Sequence, residues 1–381
     1  VRHSALSVWN SLFRQIWPRI PANHAKCIGH WDTRVFSARK SLYPSDLPAF
    51  LPTNMRRVEM RLNKIPTTVV TGFLGAGKTT LVNHLLEHAR PARVGIVVNE
   101  FGEVGIDGNL IVADEDALVE INNGCVCCTV RKDLVKSVSE LLARAGEPLA
   151  RLVVETSGLA DPAPVLQTFL ADPDVRERVE LESVVAVVDA HHFHEQLYDE
   201  IAREQVVFAD HIIVNKTDLV SAKEVTSLIA RIRTLNPTAA IDIARHGAVD
   251  VEAVFGIKHF SLDTLLRVEP DLLDEGAHEH EHDNSIASCS FVIPGPLDAT
   301  RFNRWANQLV QTHGQQLLRM KGVLNLHEER RRLHFHSVHM LLDSSFGKAW
   351  AHDEARDSKF VMIGRDLDMP AMREGLLGCV A

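Results

Sequence analysis

Apolar positions along the chain follow two rhythms, and the change between them divides it. From Met60 to about residue 270, short continuous runs rich in β-branched residues alternate with stretches of helical periodicity. Thr67–Thr71, Val94–Asn99, Leu152–Glu155, Val184–Asp189, Ile212–Asn215 and Ala240–Ile243 are such runs. Runs that are continuous rather than alternating belong to strands buried on both faces. The pattern therefore predicts an α/β domain, a mostly parallel sheet covered by helices. Ligands of such sheets gather at the carboxyl ends of the strands.

After residue 284 the rhythm changes. Ser285–Ile293 reads as a strand, and Phe302, Trp305, Ala306, Leu309 and Val310 recur at the spacing of one helical face. Strand-like stretches Leu317–Leu326, Leu333–Leu342 and Phe360–Gly364 follow, then a helix from about Pro370. This predicts a small α+β domain over 285–381, one sheet with helices packed on one face. It holds no catalytic constellation, and Arg330, Arg331 and Arg332 read as a solvated turn. Residues 271–284, with His278, His280 and His282 among acids, read as a linker. Alternating imidazoles there offer a loose metal-loading tract, but a solvated linker is the favoured reading.

The first 59 residues fit neither rhythm. Pro18, Pro21, Pro44, Pro48 and Pro52 interrupt any long element, and basic residues outnumber Asp32 and Asp46. Three readings apply: a misassigned start translated in frame ahead of Met60, a basic targeting segment, or a disordered arm. The missing amphipathic periodicity favours the first.

Composition narrows the function classes. The 381 residues are 45% hydrophobic and 24% charged, which is ordinary for a soluble protein with two cores. A net charge of −9 argues against nucleic acid as a partner. No apolar run reaches the ~20 residues that span a bilayer, so no membrane partner is expected. Six cysteines in so long a chain do not make a secreted disulfide scaffold, which points to a cytoplasmic protein.

Three motifs fall at predicted strand ends. Gly72-Phe73-Leu74-Gly75-Ala76-Gly77-Lys78-Thr79-Thr80 follows a strand and opens a helix, the setting of a phosphate-binding P-loop. Its backbone N–H groups cradle phosphates, Lys78 meets the β/γ-phosphates and the Thr79 hydroxyl ligates Mg²⁺. Arg151–Glu155 is an apolar strand closing on a carboxylate, which fits a Walker-B role for Glu155 near the Mg²⁺ or its waters. Asn215-Lys216-Thr217-Asp218 ends another strand. A carboxylate at Asp218 pairs with the N1–H and N2–H₂ edge of guanine, an edge adenine lacks, so the nucleotide expected is GTP.

Between the first two motifs stand Cys125, Cys127 and Cys128. Three thiolates would hold a soft or borderline ion such as Zn²⁺ and leave the fourth tetrahedral position open, as transfer requires. A structural thiol with incidental neighbours and a redox pair are the rival readings.

These motifs, in this order and together with Asn99-Glu100-Phe101-Gly102-Glu103 and Lys321-Gly322, resemble the CobW-like GTPases from about Arg61 to the end. The resemblance implies a metallochaperone that holds zinc on Cys125, Cys127 and Cys128 and passes it to a client metalloprotein as GTP is hydrolysed. Glu103 and His192 match accessory metal ligands of relatives. Cobalt, nickel or iron insertion, and a regulatory GTPase without metal transfer, are the alternatives. The assembly is open to a homodimer. Glu100, Glu103 and Glu155 are the groups available to orient the attacking water.

Overall fold

The continuous apolar runs of the first domain become the strands of one parallel sheet. The computed structural model describes residues 64–89, 92–100, 118–122, 127–145, 148–255 and 286–381. The expected N-terminal extension and the His-rich linker lie outside the described residues. Strands β1 (Ile65–Thr71), β2 (Val94–Glu100), β3 (Leu118–Asn122), β4 (Arg151–Thr156), β5 (Val179–Asp189), β6 (His211–Asn215) and β7 (Ala240–Ile243) pair in the order β3-β2-β4-β1-β5-β6-β7. Every described pairing in this sheet is parallel, because each strand is regained through a crossover rather than a hairpin.

Two departures from the expected strands have physical causes. β3 is only five residues long and carries Glu120 mid-strand, so no continuous run announces it. β5 begins at Val179, five residues ahead of the apolar run. Its first part alternates Glu180 and Glu182 with apolar residues, and Glu182 is neutralised by Arg151 of β4.

The covering helices are α1 (Lys78–Ala89), α2 (Cys127–Arg144), α3 (Ala163–Ala171), α4 (Pro173–Arg178), α5 (Phe193–Gln196), α6 (Glu200–Val207), α7 (Ala222–Leu235) and α8 (Val251–Phe255). Among the described residues, no helix is long and apolar enough to cross a membrane.

The second domain is a five-stranded antiparallel sheet in the order β11-β10-β9-β12-β8. Its strands are β8 (Ile286–Ile293), β9 (Leu317–Leu324), β10 (Arg331–Val338), β11 (Leu341–Ala349) and β12 (Ser358–Arg365), with helices α9 (Ala299–His313) and α10 (Met369–Leu377). The stretch Leu333–Leu342, expected as one strand, is a hairpin. It turns at His339 and Met340, and His339 takes a positive φ of 48° without Gly, Asn or Asp to signal it. Nor are the three arginines a uniformly solvated turn. Arg331 is exposed and paired with Glu329, but Arg332 is largely covered, stacked over Trp350 and bound to Glu354.

One face of this sheet meets the two helices as expected. Phe302, Ala306, Leu309, Met372 and Leu376 pack there on Phe291, Met320, Phe335, Phe360 and Met362. A side chain of that size, once fully buried, contributes on the order of 1.5–3 kcal/mol. The opposite face is covered too. Leu318, Val323, Val338, Val361 and Ile363 join Leu166, Phe169, Val207 and Phe208 of the first domain in one apolar cluster. The second domain is therefore docked on α3 and α6.

Candidate functional site

At the carboxyl end of β1 the chain wraps tightly before entering α1. Gly77 there has φ of 102°, and a Cβ would run into the Asn215 side chain, so only glycine closes this turn. Asn215, at the end of β6, is 2% exposed and ties two loops together. Its Nδ2 donates to Ala76 O at 3.0 Å, and its Oδ1 accepts from Gly247 N at 3.0 Å. The Asn of the guanine-type motif thus braces the P-loop as well as the loop after β7.

Lys78 lies within the wrap and its ammonium donates to Phe73 O at 3.2 Å. The Thr79 hydroxyl donates to Glu155 Oε1 at 2.9 Å, with Glu155 2% exposed. A hydroxyl and a buried carboxylate this close suit one hard, oxygen-seeking cation, so the donor set fits Mg²⁺. Thr80 is exposed at the start of α1, whereas Gly72 and Ala76 are buried.

The base-side elements are organised by Asp189, the last residue of β5. Its carboxylate accepts from Lys216 Nζ at 2.8 Å, from His192 Nδ1 at 3.1 Å and from His191 N at 2.9 Å. Burial would raise its pKa, but these donors outweigh burial and hold it below the usual carboxylate range. Lys216 adopts a left-handed φ of 59°, which is uncommon for a long side chain. The next turn, Thr217–Leu219, is anchored by Thr217 Oγ1 donating to Ala244 O at 2.9 Å and presents Asp218 to solvent.

Gly72, Gly75, Ala76, Gly77, Lys78, Thr79, Thr80, Glu155, Asn215, Lys216 and Asp218 thus gather at one end of the sheet. The proposed zinc ligands do not all fall within view. Glu103 and Cys125 lie outside the described residues, while Cys127 and Cys128 form the first turn of α2, their side chains outside the description. His192 follows β5, four strand steps from β3 in the sheet order, about 19 Å at ~4.8 Å per step. It stands on the guanine-motif side, sharing Asp189 with Lys216. Its pairing with Asp189 resembles the carboxylate–imidazole arrangement behind metal-binding histidines. Among the described residues, however, no group of three or more His, Cys, Asp or Glu side chains is placed to hold a metal.

Three elements escaped the sequence reading. Asp189 had a signal, since its strand ends on a carboxylate as β4 does. The loop 244–248, tied to Asn215 and Thr217, follows a short strand and has no motif of its own. Gln205 on α6 is 1% exposed, and its Nε2 donates to Gly158 O at 3.2 Å and Ala160 O at 3.3 Å in the segment after β4. Nothing local distinguishes a buried glutamine from a surface one.

The comparisons agree with this architecture. Residues 66–242 match the family described as CobW/HypB/UreG, nucleotide-binding domain, and residues 286–380 match the cobalamin synthesis protein cobW C-terminal domain. Zinc chaperone YjiA of Escherichia coli is 33% identical over 324 residues, 83% of this chain and 99% of that protein. Zinc chaperone CobW of Sinorhizobium is 32% identical over 353 residues, 83% of this chain and 98% of that one. The crystal structure of the Zn(II)-bound YjiA GTPase from E. coli superposes with a TM-score of 0.63 at 30% identity, covering 84% of this chain and all of that one. The chain belongs to the CobW family, a P-loop nucleotide-binding domain followed by a CobW C-terminal domain.

Proposed function

We propose that the protein is a GTP-hydrolysing metallochaperone that carries zinc on Cys125, Cys127 and Cys128 and delivers it to a client metalloprotein. The observation that carries this reading is the conjunction of a P-loop braced by the guanine-type motif with a helix that opens on Cys127-Cys128. Relatives alike over nearly their whole length are named zinc chaperones, and YjiA is named a GTPase.

Hydrolysis by this site is electrostatic and positional. The P-loop backbone and Lys78 hold the β/γ-phosphates, while Thr79 and Glu155 are the residues that would hold Mg²⁺, whose charge would offset that developing on the phosphate oxygens. Asp218 reads guanine, and Asp189 fixes the Lys216 side chain beside it through their 2.8 Å ion pair. Glu100, which ends β2, and Glu103 remain the proposed water-orienting groups beside Glu155. Zinc is the cargo, and thiolates suit it through their softness.

The test uses purified protein and the Cys127→Ala variant. Stoichiometric zinc in the parent, lost in the variant while GDP affinity is retained, is the expected result. Unchanged zinc affinity would remove the ligand assignment, and a parent that binds no zinc would leave a regulatory GTPase without cargo.

A further inference from the structure

We propose that Gln205 is a positioning residue for GTP hydrolysis, and that α6, which carries it, links the segment after β4 to the C-terminal sheet. The geometry begins at Gly158. A Cβ there would lie 2.7 Å from the backbone nitrogen of Leu74, so the segment after Glu155 rests directly on the P-loop. Both carbonyls that hold this segment, Gly158 O and Ala160 O, accept from the one amide of Gln205. Their demand for donors sets the amide's orientation and leaves Gln205 Oε1 buried without a hydrogen-bond partner among the described residues. An orphaned buried acceptor is unfavourable, so this orientation is held against a penalty. Gln196 Oε1 is likewise unpartnered, and the two glutamines line one crevice with Gly72 and Phe73 of the P-loop that is too tight for water.

The same helix also meets the second domain. Val207 O and Phe208 O accept from the Arg319 guanidinium of β9, and Arg319 and Lys321 both pair with the buried Asp210 that follows. At the start of the helix and one turn on, Glu200 and Glu204 bind Arg365 of β12 at 2.6 and 2.8 Å. The neighbours Gln205 and Glu204 thus bond to the segment after β4 and to the C-terminal sheet respectively. A client that shifts the C-terminal sheet has in α6 a rigid element through which to move Gly158, and the reverse holds by linkage.

This inference rests on the nucleotide site assigned above, which GDP affinity reports separately. Gln205→Met keeps the shape and removes the donors. The expected result is GDP affinity and KM within about threefold of the parent and a kcat lowered about 10- to 100-fold, the scale of a small misplacement of reacting groups. Gln205→Glu, its carboxyl held protonated by burial, keeps one donor and should retain more kcat than the Met variant. A purely structural glutamine would instead lower the unfolding midpoint of the Met variant and leave kcat per folded molecule at the parental value. Hydrogen exchange on the unsubstituted protein tests the link without any variant. Amides of 157–161 and of 200–209 should change protection together between the GDP form and the form with a non-hydrolysable GTP analogue. A Met variant with parental kcat, or α6 amides indifferent to the nucleotide, would overturn the proposal.

Discussion

In the parallel sheet, Glu155, Asp189 and Asn215 stand at the carboxyl ends of β4, β5 and β6, each buried and bonded to Thr79, Lys216 or Ala76 of the surrounding loops and helix start. In the antiparallel sheet, Arg319 and Lys321 lie mid-strand on β9 and are turned into the interface, where both pair with the one carboxylate of Asp210. Polar groups at strand ends are positioned by neighbouring loops and remain available for chemistry. Charges in mid-strand have no such freedom and serve to join domains. Burial alone would raise the Asp210 pKa, but Arg319 and Lys321 overcome it and hold the carboxyl well below its usual range. Lys321 is itself lowered to about 8, burial outweighing the attraction of Asp210.

The largest effect that separates the two regions is expected from Asp210→Ala, which leaves two cations buried without their carboxylate. Breaking such a group costs about 3–5 kcal/mol, and urea unfolding should show it. A loss below 1 kcal/mol would mean that water reaches the interface. Lys78→Met should do the reverse, lowering GTP turnover by about 10²–10³-fold with little change in unfolding midpoint, as the removal of one electrostatic contact to a reacting group does. Comparable losses of stability in both variants would erase the distinction between ends and middle. Next in size is Asp218→Asn, for which the lost charged hydrogen bonds to guanine predict a fall in GDP affinity of about 1.5–3 kcal/mol, with preference over ADP reduced to match. Retained preference would place guanine recognition on the loop 244–248 instead.

The smallest effect is a pH dependence within the interface. Burial raises Asp161 and Glu204 above their ordinary values of 3.8 and 4.5, and for Glu204 the nearby Asp161 adds to it. Such groups take up protons on folding, so stability should rise as pH falls through their raised values toward 4.5. Asp210 is lowered and acts oppositely. Its contribution is complete above 3.8 and is lost as pH falls further through the folded value. Glu204→Gln should flatten the first limb and leave the second, as urea midpoints across pH would show. An unchanged first limb would assign it to other groups.

The parallel domain was legible because its strands are continuous and its motifs are contiguous in sequence. Gly72 to Thr80 and Asn215 to Asp218 each carry their own local signature, and Asn215 bracing Ala76 is the contact that motif order alone cannot supply. The second domain was legible in its helix α9, whose apolar face is periodic, but not in the β10–β11 hairpin, whose turn lacks glycine. Gln205 was hidden for a different reason. Its partners Gly158 and Ala160 are more than forty residues away, and long-range hydrogen bonds leave no mark on local pattern. His192 was visible as a residue but not in its position, because strand order, which sets it four steps from β3, follows from the crossovers and not from any single segment.

Coupling between the nucleotide end and the cysteine helix is most directly measured as zinc affinity in two states. The same preparation is titrated with a competing chelator, once loaded with GDP and once with a non-hydrolysable GTP analogue. The result expected is a difference of about 5- to 150-fold between the two forms, the ordinary range of a coupling free energy, with an equal factor on nucleotide affinity when zinc is added first. Equal zinc affinity in the two forms would contradict a GTP-driven metallochaperone.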